Sequence, residues 1–197
     1  YLMQQGSPSK DVALYMPYNG SLSETDAVKA MNYNGIAWDA INDASIQAAD
    51  TIYKDGKISA NGGKMTYQAI VVEGTTLPVA TMEKLKELAA AGATVILYGN
   101  APAKQPGYAD GKYAAEDAKV AACAAEIIAQ ESGSNPKTMA DLEKALSSVK
   151  PAVTYEKNTN ARFARRTLSD GGELVYIRNI GTSDNTITVK ADSKYQN

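Results

Sequence analysis

The chain has 197 residues, 44% hydrophobic and 21% charged, a balance that suits one sizeable buried core plus an appendage. A formal net charge of -2 with dispersed basic residues gives no electrostatic footprint for nucleic acid or an anionic membrane, so neither is expected as a partner. There is no His and one Cys, Cys123, so Ser-His-Asp and Cys-His mechanisms lack their imidazole and a His/Cys metal shell lacks its ligands.

Residues 1–10, YLMQQGSPSK, have neither an initiator Met nor a signal-peptide core, and the chain is expected to be a piece of something longer. No apolar run approaches the roughly 20 residues of a membrane span. DVALYMP at 11–17 predicts a first strand, ended by Pro17 with Tyr18-Asn19-Gly20 as turn chemistry. Ser23-Glu24-Thr25-Asp26 opens a short helix reaching about Met31, with an acidic first turn that complements the helix dipole. Ile36, Ala37 and Trp38 read as a short strand, and Asp43 as the cap of a helix carrying Ile46 and Ala49. Asp55-Gly56, between TIY and KIS, predicts a hairpin, and Asn61-Gly62-Gly63 a further turn.

From Tyr67 to Pro102 the sequence runs YQAIVVEGTTLPVATMEKLKELAAAGATVILYGNAP. Ile70-Val71-Val72 and residues 93–98 are the short, nearly continuous apolar runs of parallel strands covered on both faces. Between them Met82, Leu85, Leu88 and Ala89 recur at helical spacing; Pro78 suits the first turn, and Gly92 suits a left-handed stop. This predicts a βαβ unit. A loop follows, then a helix with Val120, Ala124, Ile127 and Ile128 on one face. Ser134-Asn135-Pro136 breaks that helix, and another runs from about Thr138 to Ser147. After Lys150-Pro151 the pattern becomes strand-like through ARFARRTL, ELVYIRN and NTITVKA. The boundary predicted here separates an α/β domain at 8–150 from a β-rich segment at 151–197.

Motifs for nucleotides and metals fail on inspection. A phosphate loop ending in the Gly63-Lys64 of NGGK would need Gly at 58 and Ser or Thr at 65, where Ile58 and Met65 stand. No GxGxxG follows a predicted strand, and the Asp55-Gly56 turn lacks the ligands of a calcium loop, so no cofactor and no metal are expected. Cys123, inside VAACAAEIIA, reads as a buried helical thiol.

The hydrolytic chemistry left open is a carboxylate pair of the glycosidase kind, with Asp39, Asp43, Glu73 and Asp110 as its candidates. Spare acids of an ordinary protein are the simpler reading of all four, and no catalytic residue is assigned. Ligands of open α/β sheets bind beyond the carboxyl ends of the strands. That edge would carry Tyr18, Asn19, Glu73 and Asn100, which are candidates for carbohydrate binding; the plainer reading makes them turn formers and strand ends. Arg165-Arg166 is a candidate for contact with an anion or a neighbouring domain, with ion pairing on an exposed strand as the plainer reading.

The order WDAINDASI, a DG hairpin with an NGG turn, the βαβ stretch quoted above and then PGYADGKYAAEDAKVAACAAEI resembles the flavodoxin-like, amidotransferase-like domain of large bacterial glycoside hydrolases. The nearest likeness is to the α-L-rhamnosidase family, with the trimerisation domain of certain β-galactosidases more distant by fold. The tail agrees through Arg165-Arg166, Asp170-Gly171-Gly172 and Tyr176-Ile177-Arg178-Asn179, although Arg165 stands where the family usually has His and Ile177 where it has Phe.

The resemblance implies a three-layer flavodoxin-like parallel sheet with helices on both faces, followed by strands that lead into a β-sandwich. It implies that the catalytic acids lie in a preceding (β/α)₈ barrel outside this chain, that the parent is periplasmic or secreted, and that the partners are the parent's other domains and an oligosaccharide. The expected function is a non-catalytic accessory domain of a carbohydrate-degrading hydrolase. A carbohydrate-binding or oligomerisation module is the alternative.

Overall fold

The computed structural model describes residues 4–17, 20–107 and 111–191. Strand β1 (Ser7–Pro8) is two residues long, and β2 (Val12–Tyr15) is buried throughout. Successive side chains of a strand point to opposite faces, so Ala13 and Tyr15 enter one core while Val12 and Leu14 enter another. Helix α1 (Asp26–Tyr33) starts at Thr25, whose side chain accepts the Val28 N–H at 3.3 Å. Next, β3 (Trp38–Ile41) begins where the sequence placed the end of a strand. Helix α2 (Asp43–Gln47) is capped by Asn42 rather than Asp43: the Asn42 side chain accepts the Ser45 N–H at 2.9 Å, which leaves the Asp43 carboxylate for other bonds.

Strands β4 (Ile52–Lys54), β5 (Lys57–Ala60) and β6 (Met65–Tyr67) form an antiparallel sheet. The predicted hairpin turn is present, with Asp55 and Gly56 at φ of 53° and 75°. Then come β7 (Ala69–Glu73), α3 (Val79–Ala90) and β8 (Thr94–Tyr98), with β7 and β8 parallel, as the apolar pattern requires of a βαβ unit. Pro78 stands at the N-cap, and the Val79 N–H is taken by the Gln105 side chain at 2.7 Å.

Helix α4 (Tyr113–Ala129) buries Val120, Cys123, Ala124 and Ile127, whereas Ile128 is exposed. Strand β9 (Gly133–Ser134) lies where the sequence showed only a helix break, and it pairs parallel to β8. Helix α5 (Met139–Leu146) is capped by Thr138. The remainder is β10 (Val153–Tyr155), β11 (Ala161–Thr167), β12 (Glu173–Asn179) and β13 (Val189–Ala191).

The five parallel strands run in the order β3-β2-β7-β8-β9. Ile46 of α2, Leu85 of α3 and Val120 of α4 share one core with Ile70, Val72 and Val95. Met31 of α1 and Leu142 of α5 share the other with Val71 and Ile96. This mixed α/β body meets the later strands through β1, which pairs antiparallel with β11, and through the end of α1. There Thr154 Oγ1 donates to the Asn34 carbonyl at 2.7 Å, and the Asn158 N–H to the Tyr33 carbonyl at 2.8 Å.

Candidate functional site

At the carboxyl edge of the parallel sheet, Glu73 ends β7 and Asn100 follows β8, so the structure brings these two predicted residues to one rim. Glu73 is engaged there: its Oε2 accepts the Ala27 N–H at 3.0 Å, in the first turn of α1. Asp26 beside it accepts the Tyr98 hydroxyl at 2.9 Å. Burial, and then Asp26, push that phenol up to about 12. Asn100 is exposed. The Gly99 carbonyl accepts from Asn135 Nδ2 at 3.0 Å and from Lys137 Nζ at 2.8 Å, which ties the loop after β8 to the chain ahead of α5. Tyr18 and Asn19 lie outside the described residues, as does Asp110.

The candidate acids Asp43 and Asp39 are also engaged. Asp43 Oδ1 accepts the Tyr15 hydroxyl at 3.1 Å and the Thr81 hydroxyl at 2.5 Å, and Gln47 Nε2 donates to Thr81 Oγ1 at 2.8 Å. These bonds join β2, α2 and α3, and burial with the nearby Asp43 charge raises the Tyr15 phenol. Asp39 Oδ2 accepts the Tyr67 hydroxyl at 3.4 Å. Asp39 and Asp50 both line a cavity of about 500 Å³ between α2 and the antiparallel sheet, where Asp50 Oδ2 accepts the Gly62 N–H at 2.5 Å.

A cluster that the sequence did not reveal sits at the opposite, amino end of the strands. The Arg165 side chain, 3% exposed, donates from Nη2 to Asp11 Oδ1 at 2.6 Å, from Nη1 to the Val153 carbonyl at 3.1 Å and from Nε to Ser9 Oγ at 3.0 Å. Asp11 Oδ2 accepts the Ala37 N–H at 2.9 Å. Burial raises the Asp11 carboxyl above its ordinary range, while Arg165 and then the Ala37 N–H pull against that shift. Glu173 completes the group, with Oε2 at 3.6 Å from Arg165 Nε and Oε1 accepting the Thr167 hydroxyl at 2.9 Å.

Arg165 is therefore buried, where the sequence suggested an exposed strand. Arg166, one residue along and on the other side of β11, donates to the Gln5 and Gly6 carbonyls. The one signal in the sequence was an acid, Asp11, standing immediately before a wholly apolar strand, where its charge needs a partner.

Among the described residues, no group of three or more His, Cys, Asp or Glu could hold a metal ion, and no helix is long and apolar enough to cross a membrane. Cys123 is buried, and burial raises its thiol, which removes it as a ready nucleophile.

A rhamnosidase from Novosphingobium sp. PP1Y has a similar fold: TM-score 0.63, 21% identity, with 90% of this chain and 18% of that chain covered. The present chain thus corresponds to under a fifth of that protein's length. No curated protein matches it. The model of the alpha-L-rhamnosidase family matches residues 1–196, nearly the entire sequence. The chain belongs to the alpha-L-rhamnosidase family.

Proposed function

We propose that this chain is a non-catalytic accessory domain of a secreted or periplasmic, rhamnosidase-type glycoside hydrolase, supporting its other domains or positioning a saccharide. The observation that carries this reading is the engagement of the three candidate acids among the described residues: Glu73 holds the first turn of α1, Asp43 joins three elements, and Asp39 holds Tyr67. A glycosidase pair needs two carboxyl groups facing one scissile bond, whereas these three are each bonded to a different part of the fold. Family membership supports the glycoside hydrolase context, and the small share of the Novosphingobium rhamnosidase covered supports a role for this piece within a larger protein.

The fold we propose is the three-layer flavodoxin-like one. Numbered within the parallel sheet alone, the strands have the order 2-1-3-4-5, and the two cores place α1 and α5 against one set of side chains and α2, α3 and α4 against the other.

The test uses a family enzyme that contains this segment, with Asp39→Asn, Asp43→Asn and Glu73→Gln made singly. The expected result is a kcat on an aryl α-L-rhamnoside within roughly threefold of the parent. Removing a true general acid or base costs roughly a hundredfold or more. A loss of that size in a variant with native circular dichroism overturns the reading.

A further inference from the structure

The cleft above the buried Arg165 cluster is the feature that the proposed role leaves unused. Its volume is about 310 Å³, at the lower end of small-molecule sites, and its walls come from the approach to β2, the β5–β6 hairpin, the 150–152 segment and β11–β12. Lys10, Lys57 and Lys64 line it, and none forms a salt bridge among the described residues. Lys150 also lines it but donates its ammonium to the Ser147 carbonyl at 2.7 Å. Asp11 and Glu173 are the acids of the lining, and Asp11 is already bonded to Arg165 and Ala37.

Glu173 sets the second demand of the cleft. Its side chain is 6% exposed, and its Oε2 is a buried oxygen that accepts no hydrogen bond. Such an atom carries the desolvation cost of an acceptor without the compensating donor, which about 90% or more of buried polar groups obtain. Arg165 sends Nε, Nη1 and Nη2 bonds to Ser9, Val153 and Asp11, and its 3.6 Å approach to Glu173 is an ion pair that lies outside hydrogen-bond range.

A ligand that satisfies this cleft needs an anionic group for the lysines and an O–H donor for the acceptor beside Arg165. A bare inorganic dianion meets the first demand and is repelled at the second. A neutral sugar meets the second and leaves the lysines without a counter-charge. We infer that the cleft at the amino ends of the parallel strands binds a sugar acid, its carboxylate on Lys10, Lys57 and Lys64 and a ring hydroxyl donating to Glu173. This goes beyond the accessory role and holds whether or not the chain supports a catalytic neighbour.

The test is a titration of the 197-residue chain with D-galacturonate, D-galactose and sodium sulfate, followed by backbone amide NMR. Galacturonate is expected to shift the amides of residues 57 and 64 saturably, with galactose and sulfate at least about tenfold weaker. The exposed pair Lys57→Gln and Lys64→Gln, combined in one variant with an unchanged spectrum elsewhere, is expected to weaken galacturonate by about tenfold, a typical loss for charge-assisted bonds to a carboxylate. The assignment is overturned if galacturonate produces no saturable shift or if galactose binds as well. Equal binding by sulfate, or an unchanged affinity in the lysine variant, overturns it too.

Discussion

Arg165 and Asp11 show how far a single residue's environment departs from its local sequence. In the string ARFARRT two arginines stand side by side, yet one is buried against a carboxylate 154 positions earlier in the chain and the other reaches backbone carbonyls of the N-terminal segment. The alternation of a strand explains the separation, but which face is covered depends on β1 and on the entrance to β2, and local pattern carries no record of either. Removing one partner of a buried ion pair costs about 3–5 kcal/mol, and without Asp11 the Arg165 guanidinium keeps only the more distant Glu173, at 3.6 Å. Asp11→Ala is accordingly expected to lose about 3 kcal/mol in urea unfolding, and adding Arg165→Met is expected to recover part of that loss. An Asp11→Ala chain as stable as the parent would show that the pair contributes nothing.

The elements legible in the sequence are those with long periodic patterns. The β7–α3–β8 unit follows from two apolar runs and a stripe at three- and four-residue spacing, and the hairpin between β4 and β5 follows from Asp55-Gly56, whose positive φ angles the turn demands. Strand β9 was not legible, since two residues with no apolar run leave nothing for periodicity to detect. It is instead packed closely against α4: a Cβ on Gly133 would lie 1.8 Å from the Ile127 carbonyl oxygen at the end of that helix. Because that neighbour is backbone, it cannot swing away. Gly133→Ala is expected to cost about 3 kcal/mol, the upper part of the overpacking range, and to speed amide exchange in α4 and β9. Unchanged thermal stability in this variant would contradict the close packing of α4 onto the sheet edge.

The tyrosines put the whole molecule's stability on a pH scale. Burial first, and then the neighbouring Asp26, hold Tyr98 at about 12; burial holds Tyr155 at about 12 against the opposing pull of Arg162. A free phenol ionises near 10. A folded-state pKa raised above the unfolded value gives stability that is complete below pH of about 10 and is lost as pH rises toward 12. Urea unfolding is therefore expected to be nearly pH-independent in this respect between about 8 and 9.5 and to weaken steeply above 10, with Tyr98→Phe reducing the slope. A flat stability profile through that upper range would show that the two hydroxyls are solvated in the fold.

The candidate acids Asp39, Asp43 and Glu73 were visible in the sequence, but what they do was not, because their partners Tyr15, Ala27, Thr81 and Tyr67 arrive from other elements. The charged cleft at the opposite edge was invisible for the same reason, since its lysines are dispersed from Lys10 to Lys150. The most direct measurement is hydrolysis of an aryl α-L-rhamnoside by the 197-residue chain, set beside that of a full-length family enzyme that contains such a segment. The account predicts turnover by the full-length enzyme and none by the chain; turnover by the chain that a single carboxylate substitution abolishes would contradict it and place a catalytic pair inside this fold.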